Sequence, residues 1–322
     1  MAGNRATRTG RLADVLLDVW LWLAYAGSMA DDVRPTAVIT GGASGIGRAL
    51  GEALAARGTR VLLADLDGDI AEDVAEGIRD KGGDASAVQL DVSQFAPVAE
   101  VIHGAAQRWG RLDYVFNNAG IAVTGEVDEH TTESWNRIID VNLRGVVHGV
   151  QAAYPIMKEQ GFGHIVNTAS MAGLVAGAMS SGYNTTKHAV VGLTKSLRVE
   201  GALYGVRVSV LCPGAIRTPI LGGGRHGFLV PGIDRERQSN LMRSAFEPMR
   251  PMDPKRFAEG VLKRLDRNQA VIILPTWWRL VWWLERLLPS FVLWMSERGF
   301  VAGREKFGEL RAEARREGEA AD

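Results

Sequence analysis

From Thr36 onward, the chain alternates short apolar runs with segments of helical periodicity, and this alternation limits the folds that it can adopt. The apolar runs occupy residues 37–40, 60–65, 85–91, 114–117, 164–169, 206–212 and 270–274. Between them, residues such as Leu50 and Leu54 recur at helical spacing. Strands that are separated by helices need crossover connections, which make the strands parallel and place helices on both faces. The pattern therefore predicts an α/β protein with a doubly wound parallel sheet of about seven strands.

Composition restricts the partners and cofactors of the chain. Its 322 residues include 37 Lys and Arg against 37 Asp and Glu, so no net charge favours nucleic acid as a partner. A single cysteine, Cys212, excludes an internal disulfide and favours a reducing compartment, the cytoplasm. The six histidines are scattered and show no metal-ligand spacing, so no bound metal is expected.

A glycine-rich turn follows the first predicted strand and leads into a predicted helix. Gly41, Gly45 and Gly47 would let backbone N–H groups approach a pyrophosphate, which the helix N-terminus then stabilises. Asp65 ends the second predicted strand, where a carboxylate can bind ribose hydroxyls and repel a 2′-phosphate. An alternative role for Asp65 is that of a helix N-cap, because the turn that follows it is acidic. The order of these features indicates a Rossmann-type nucleotide-binding sheet. The carboxylate of Asp65 favours NAD over NADP as its cofactor.

Further motifs in the same order resemble those of the short-chain dehydrogenase/reductase family, in its simple single-domain branch. The run Thr-Gly-x-x-x-Gly-Ile-Gly at 40–47 is similar to the family's cofactor motif, and Asn-Asn-Ala-Gly at 117–120 to the motif after its fourth strand. The match is dense over 36–220 and loose over 254–274. It implies that the cofactor is bound by Gly41, Ser44, Gly45, Ile46, Gly47, Asp65, Asp91, Val92, Asn118, Ala119, Gly120, Tyr183, Lys187, Pro213, Gly214, Ile216 and Thr218.

Four residues match the family's catalytic tetrad: Asn142, Ser170, Tyr183 and Lys187. Tyr183 and Lys187 are four residues apart in a predicted helix and so share a face, although alone they would be compatible with an ordinary helix surface. A free phenol has a pKa of about 10, and a neighbouring ammonium together with the cationic oxidised nicotinamide should lower that pKa toward the range of a useful base. The resemblance implies that Tyr183 donates and accepts the proton while Ser170 binds the substrate oxygen. Asn142 would hold a water that links Lys187 to solvent.

The expected activity is reversible oxidation of a secondary alcohol, or reduction of a ketone, with NAD(H). Two alternatives remain at this point: reduction of a carbon–carbon double bond, as in some relatives, and a scaffold that binds NAD without turnover. Relatives are commonly dimers or tetramers, so a homo-oligomer is expected.

The segment 215–255 is rich in glycine and proline and is expected to close over the substrate. Its apolar residues favour a lipophilic ligand, such as a steroid, a retinoid or an acyl derivative, although they could equally pack the segment down. These residues are Phe228, Leu229, Val230, Leu241, Met242, Phe246 and Met249.

Extensions flank the predicted nucleotide-binding and catalytic domain, 34–275. The N-terminal extension, 1–33, contains an apolar stretch at 12–26 that superficially resembles a secretory signal, but Asp14 and Asp18 interrupt it. A short surface helix, or a true start at Met29, is expected instead. The tail, 276–322, is rich in tryptophan and arginine. Its charged end, 304–322, is expected to form a frayed helix. Two roles are open for 276–295: contact with a membrane surface, or packing on a subunit or over the active site.

Overall fold

The computed structural model describes residues 34–227, 235–302 and 304, and the fold is given for those residues. The described residues from Pro35 onward belong to one compact unit. The predicted N-terminal extension 1–33 and the predicted charged end after 304 lie outside the described residues, so both stay predictions.

A seven-stranded parallel sheet forms the centre of the part of the chain that the structure describes. Its order is β3-β2-β1-β4-β5-β6-β7, with every neighbouring pair parallel. The predicted doubly wound, Rossmann-type sheet is therefore confirmed, and each predicted strand is present. In chain order, β1 to β7 are Thr36–Thr40, Arg60–Asp65, Ala85–Gln89, Tyr114–Asn117, Gly163–Thr168, Val206–Pro213 and Val271–Leu274.

Helices cover both faces of the sheet. Because side chains alternate across a strand, Ile39 of β1 packs in one apolar cluster with Leu50 and Phe257, while its neighbour Val38 packs in a second cluster with Ile102. Among the described residues, no helix combines the length and apolarity needed to cross a bilayer. In chain order, α1 to α9 are Gly45–Ala55, Gly68–Arg79, Phe95–Trp109, Thr132–Ile139, Gly145–Gln160, Ser181–Ala202, Arg235–Phe246, Pro254–Leu265 and Trp278–Leu287, and residues 289–302 are helical as well.

The direction of winding reverses beside β1, because β2 and β3 lie on one side of it and β4 to β7 on the other. At such a switch point, the loops that leave neighbouring strands diverge and open a crevice at the carboxyl ends of the strands. The loops after β1, β4 and β5 carry predicted site residues, so the topology brings these residues to the crevice.

Candidate active site

A cavity of about 570 Å³ lies at the crevice, bordered by the segments that follow β1 to β6. Two predicted site residues lie behind its wall: Gly47 beside Asn118, and Asn142 hydrogen-bonded to Ile121. The structure thus brings the predicted residues together around one space, although their roles stay predictions. Those that line it are Gly41, Ser44, Gly45, Ile46, Asp65, Asp91, Val92, Asn118, Ala119, Gly120, Ser170, Tyr183, Lys187, Pro213, Gly214, Ile216 and Thr218.

The turn between β1 and α1 requires glycine on steric grounds. Gly41 and Gly45 have φ values of +70° and +54°, in the left-handed region that other residues rarely adopt. A Cβ on Gly47 would collide with the carbonyl oxygen of Gly41. Because Ser44, Gly45 and Ile46 line the cavity, the N-terminus of α1 borders it, an arrangement that stabilises an anionic group.

Asp65 holds its carboxylate at the cavity wall through two backbone hydrogen bonds. Its Oδ2 accepts from the Ala43 N–H at 2.9 Å, and its Oδ1 accepts from the Asp67 N–H at 3.1 Å. The N-cap residue of α2 is Asp67, so the alternative role of Asp65 as that cap is wrong. The carboxylate instead ties the end of β2 to the glycine turn and faces the same cavity.

Asp91 follows β3 and is held by polar neighbours. Its Oδ1 accepts from the Ser93 N–H at 2.9 Å, and a guanidinium nitrogen of Arg137 lies 3.6 Å from its Oδ2. Burial acts to raise the pKa of Asp91, but the Ser93 hydrogen bonds and the Arg137 charge prevail and lower it below the ordinary value. Arg137 lines the cavity too, and no sequence motif pointed to it.

Asn118 connects the ends of three strands. Its backbone N–H donates to Thr40 Oγ1 at 2.9 Å, and its Nδ2 donates to the Thr40 carbonyl at 3.1 Å. The Thr168 hydroxyl donates to Asn118 Oδ1 at 3.2 Å. An asparagine can both donate and accept through its side chain, so it fixes β1, β4 and β5 relative to one another at the crevice.

Ser170, Tyr183 and Lys187 meet on one wall of the cavity. Lys187 Nζ lies 5.5 Å from the centre of the Tyr183 ring and donates to the Thr168 carbonyl at 2.8 Å. The Ser170 hydroxyl lies close enough to the Tyr183 phenol to act on its pKa. Since Ser170 follows β5 and the other two lie on α6, the strand and the helix together set the geometry.

Burial dominates the protonation of this group. It raises the pKa of the Tyr183 phenol above its ordinary value, while the Ser170 hydroxyl acts in the opposite direction. Burial also lowers the pKa of Lys187 to about 8. The predicted lowering of the Tyr183 pKa, by Lys187 together with an oxidised nicotinamide, stays a prediction, because in the protein alone desolvation of the phenolate is the largest effect.

Asn142 lies in a π-helical turn, Asp140–Arg144, between α4 and α5. Its fully buried side chain accepts from the Ile121 N–H at 2.8 Å and donates to the Ile121 carbonyl at 3.0 Å. A Cβ on Gly120 would lie 3.3 Å from Asn142 Oδ1 and 3.5 Å from Lys187 Nζ, so Asn142 and Lys187 flank the same glycine. Turns of this kind recur at functional sites, but the predicted role of Asn142 in holding a water stays a prediction.

The tail reaches the cavity through Trp278, the first residue of α9. A Cβ on Gly214 would overlap the Trp278 indole, so the ring packs directly on the backbone after β6. Trp278 and Trp282 also pack on an apolar cluster that includes Met171 and Cys212. One face of α9 therefore packs at the active site, which was one of the two roles left open for the tail.

The segment 215–255 supplies further wall residues. Met242, Phe246 and Met249 line the cavity, whereas Leu241 is absent from its lining among the described residues. Residues 228–230, whose apolar side chains were also expected to contact substrate, lie outside the described part of the chain. Arg225 and His226 line the cavity without having been predicted, and their only sequence signal is the surrounding run of glycines.

These features fit a nicotinamide dinucleotide. The glycine turn is a cradle that side chains would fill, and the Asp65 carboxylate stands beside it at the end of β2. Tyr183 and Lys187 line the same cavity from α6. An elongated ligand can thus lie with its pyrophosphate on the N-terminus of α1 and its ribose hydroxyls at Asp65.

Known proteins share this architecture. Residues 35–226 match the family model described as short chain dehydrogenase. Levodione reductase of Leifsonia aquatica is 39% identical over 187 residues, which cover 57% of this chain and 70% of that protein. D-beta-hydroxybutyrate dehydrogenase of Rhizobium meliloti (strain 1021) is 38% identical over 191 residues, covering 58% and 73%. A crystal structure of a short chain dehydrogenase/reductase from Burkholderia phymatum in complex with NAD has a TM-score of 0.72 at 29% identity, covering 80% of this chain and 95% of that one.

Proposed function

Since the chain belongs to the short-chain dehydrogenase/reductase family, we propose that it transfers a hydride between NAD(H) and a lipophilic secondary alcohol or ketone, with Tyr183 as general acid and base. Its enzyme class is that of the NAD(P)-dependent alcohol dehydrogenases and ketone reductases. The observation that carries the proposal is that Ser170, Tyr183 and Lys187 line the same cavity as the glycine turn.

The protein's own groups act on the substrate oxygen, while a bound nicotinamide supplies or accepts the hydride. In ketone reduction, the Ser170 hydroxyl stabilises the developing charge on that oxygen and Tyr183 gives it a proton. Burial raises the pKa of Tyr183, so the phenol holds that proton at neutral pH. Alcohol oxidation needs the phenolate as proton acceptor instead. Lys187, charged below its pKa of about 8, and the positive charge of an oxidised nicotinamide would together favour that form.

NAD is proposed as the preferred cofactor because Asp65 occupies the end of β2. Its carboxylate can accept hydrogen bonds from both ribose hydroxyls of the adenosine half, whereas it would repel a 2′-phosphate. Two backbone N–H groups hold this carboxylate in place.

A lipophilic substrate is proposed from the apolar side chains around the catalytic wall. Pockets lined mostly by apolar groups, with few polar ones, bind ligands of matching character. A steroid, a retinoid or an acyl derivative has that character. The side chains concerned are Ile121, Val123, Met171, Val175, Met242, Phe246, Met249 and Trp278.

Replacement of Tyr183 by Phe tests the mechanism. We expect kcat to fall by about 10²–10⁴-fold, the usual contribution of a positioned general acid, while NADH still binds in a fluorescence titration. Tyr204→Phe is the matched control, because Tyr204 stacks at an edge on Tyr154 and does not line the cavity. Undiminished turnover in Tyr183→Phe would contradict the mechanism, and failure of the wild type to bind any pyridine nucleotide would contradict the function.

The choice of substrate tests the two alternative activities. Wild-type protein is assayed with NADH on an enone and on secondary alcohols and ketones of rising lipophilicity. Reduction of the carbonyl, with rates that rise along the series, supports the proposal. Reduction at the alkene alone would favour a double-bond reductase, and absence of turnover across the panel would favour a scaffold that only binds NAD.

Peripheral membrane contact through 276–295 is proposed from the outer face of α9. Most of the large apolar side chains that are exposed in the described residues lie between 277 and 301, among them Leu280, Trp283 and Leu287. Arg286 stacks on Trp282 with its guanidinium 5.3 Å from the ring centre. Tryptophan beside arginine suits the interface between headgroups and acyl chains, and the arginines favour anionic lipid.

Vesicle flotation tests this contact. Wild-type protein should float with vesicles that contain phosphatidylglycerol, and Trp283→Ser with Leu287→Ser should float much less. Val199→Ser with Leu203→Ser is the matched control, since these side chains are 78% and 79% exposed on another helix and its end. Equal flotation of both variants would contradict membrane contact. Light scattering of the same proteins measures whether they form the predicted homo-oligomer. If only Trp283→Ser with Leu287→Ser fails to form it, the outer face of α9 contacts a second subunit.

A further inference from the structure

Residues 218–227, here called the strap, run along one side of the cavity between two other loops. At its start, Thr218 Cγ2 lies 3.1 Å from the position that a Cβ on Gly45 would occupy, so the strap begins at the glycine turn. At its end, a Cβ on Gly227 would lie 2.6 Å from the carbonyl oxygen of Ala122, after β4. The strap residues that line the cavity are Thr218, Pro219, Ile220, Leu221, Gly223, Gly224, Arg225, His226 and Gly227.

Between these ends, two side chains of the strap contact one carboxylate at the end of β2. The Arg225 guanidinium and His226 Nε2 lie 3.3 Å and 3.1 Å from the same oxygen, Oδ2, of Asp67. Asp67 follows Asp65 by two residues and is the N-cap of α2, yet its side chain makes no capping hydrogen bond. The Asp67 carboxylate is therefore available for the strap.

The opposite side of the strap is braced by α7. Arg235, the first residue of that helix, donates to the carbonyls of Gly224 at 2.8 Å and Arg225 at 2.7 Å. A Cβ on Gly222 would collide with Ser239 of the same helix, so the strap and the helix are closely packed. The attachment to Asp67 is, by contrast, exposed, with 57% of the Arg225 side chain and 41% of the His226 side chain accessible to solvent. The ion pairs are thus the part of the strap that can open with least disruption of packing.

We infer that Asp67, Arg225 and His226 form a latch that holds the strap closed over the adenosine half of a bound dinucleotide and slows its release. The inference rests on the proposed function, because it places the ribose at Asp65 and the pyrophosphate at the glycine turn. A ligand in that position lies beside the strap and next to Asp67. Its departure past the strap requires the contacts of Arg225 and His226 with Asp67 to separate.

Asp67→Asn tests the latch by removing its shared acceptor charge. Exposed ion pairs contribute modestly, so we expect NADH to dissociate about three- to tenfold faster, measured by stopped-flow displacement. The matched control is Asp69→Asn, which removes the same charge from the exposed first turn of the same helix and should leave the rate unchanged. Added salt should accelerate release from the wild type and have little effect on Asp67→Asn, because salt screens exposed ion pairs.

The strap side of the latch gives an independent comparison. Arg225→Ala with His226→Ala should accelerate release as much as Asp67→Asn does, and the triple variant should add nothing, since one interaction is removed in each case. The inference would be overturned if the triple variant released NADH faster than Asp67→Asn does. It would also be overturned if Asp67→Asn released NADH at the wild-type rate, or if Asp69→Asn accelerated release as much as Asp67→Asn.

Hydrogen exchange of the protein without nucleotide separates the latch from the proposed function. The Gly223 and Gly224 N–H groups donate within the strap to the carbonyls of Ile220 and Pro219, both at 3.0 Å. These amides should exchange faster in Asp67→Asn than in wild type or Asp69→Asn. If wild-type protein binds no NADH, the proposed function fails, and unchanged exchange in Asp67→Asn would show that the latch fails by itself.

Discussion

Burial, more than pairing of charges, sets the titration of the chemically reactive side chains. Burial raises the pKa of the Cys212 thiol to about 12, so this cysteine stays protonated and unreactive at neutral pH. The same environment lowers the pKa of Lys187 to about 8. Lys187 is thus close to its titration point in the physiological range, where small changes in its surroundings alter the charge beside Tyr183.

His164 gives a test of burial at a single residue, away from the cavity. It lies on β5, 3% exposed, and its Nε2 donates to Ser209 Oγ at 2.9 Å. Burial, together with the charges of Arg207 and Arg198, lowers the pKa of His164 to about 3. Below about pH 6.5, His164 is therefore protonated in the unfolded chain but stays neutral in the folded chain. The free energy of unfolding should decrease as the pH falls below that value.

Between about pH 6.5 and 5, this residue should account for about 2 kcal/mol of lost stability, measured by urea unfolding. His164→Asn retains a donor for Ser209 but cannot titrate, so its free energy of unfolding should depend less on pH over that range. His103→Asn, at an exposed position on α3, is the control and should follow the wild type. Parallel pH dependence in wild type and His164→Asn would show that the buried imidazole does not limit acid stability.

At the level of elements, the contact of α9 with the end of β6 joins the tail to the family's core. Gly214 has no room for a Cβ because the Trp278 indole covers it. Its backbone φ lies outside the left-handed region, so alanine is excluded by packing alone. Gly214→Ala should lower the free energy of unfolding by about 1–3 kcal/mol through overpacking.

The same substitution in a Trp278→Ala background should have a much smaller effect, which a double-mutant cycle of urea unfolding measures. Gly77→Ala, where a Cβ meets nothing within 4 Å on α2, should be neutral or stabilising. Independent effects of the Gly214 and Trp278 substitutions would mean that α9 does not depend on this contact.

The elements that were predictable from sequence are those with local or motif-based signals. Apolar runs gave the strands, because a strand buried on both faces needs apolar residues throughout. The spacing of Tyr183 and Lys187 placed both on one helix face, and α6 carries them as predicted. Trp278 packs on Gly214, and Arg225 pairs with Asp67, although the partners in each contact are far apart in the chain. The periodicity of the sequence cannot predict such long-range contacts. The effect of burial on the pKa of Tyr183 could not be predicted for a related reason, since desolvation depends on everything that surrounds a group.

For the whole molecule, the cavity joins most of the described elements into one binding unit. It is bordered by the segments after β1 to β6 and by α9, so unfolding of any of these should release a bound dinucleotide. A ligand that binds only the folded state at 100 times its Kd raises the free energy of unfolding by about 2.7 kcal/mol. For a chain of 322 residues, that corresponds to a rise in Tm of about 4 °C. Tyr183→Phe should keep most of this rise, because it removes a single hydroxyl and leaves the other predicted cofactor contacts in place.

Comparison of the two nucleotides extends this measurement to cofactor choice. At equal concentration, NADPH should raise the Tm less than NADH, because its 2′-phosphate meets the Asp65 carboxylate that Ala43 and Asp67 hold in place. Asp65→Asn keeps the size of the side chain but removes its charge, so the difference between the nucleotides should narrow. Asp69→Asn, which lies on α2 outside the cavity lining, should preserve it. If NADH and NADPH raise the Tm of the wild type equally, the charge at the end of β2 does not select the cofactor. If Asp65→Asn keeps the wild-type difference in Tm between the two nucleotides, other groups around the ribose select the cofactor.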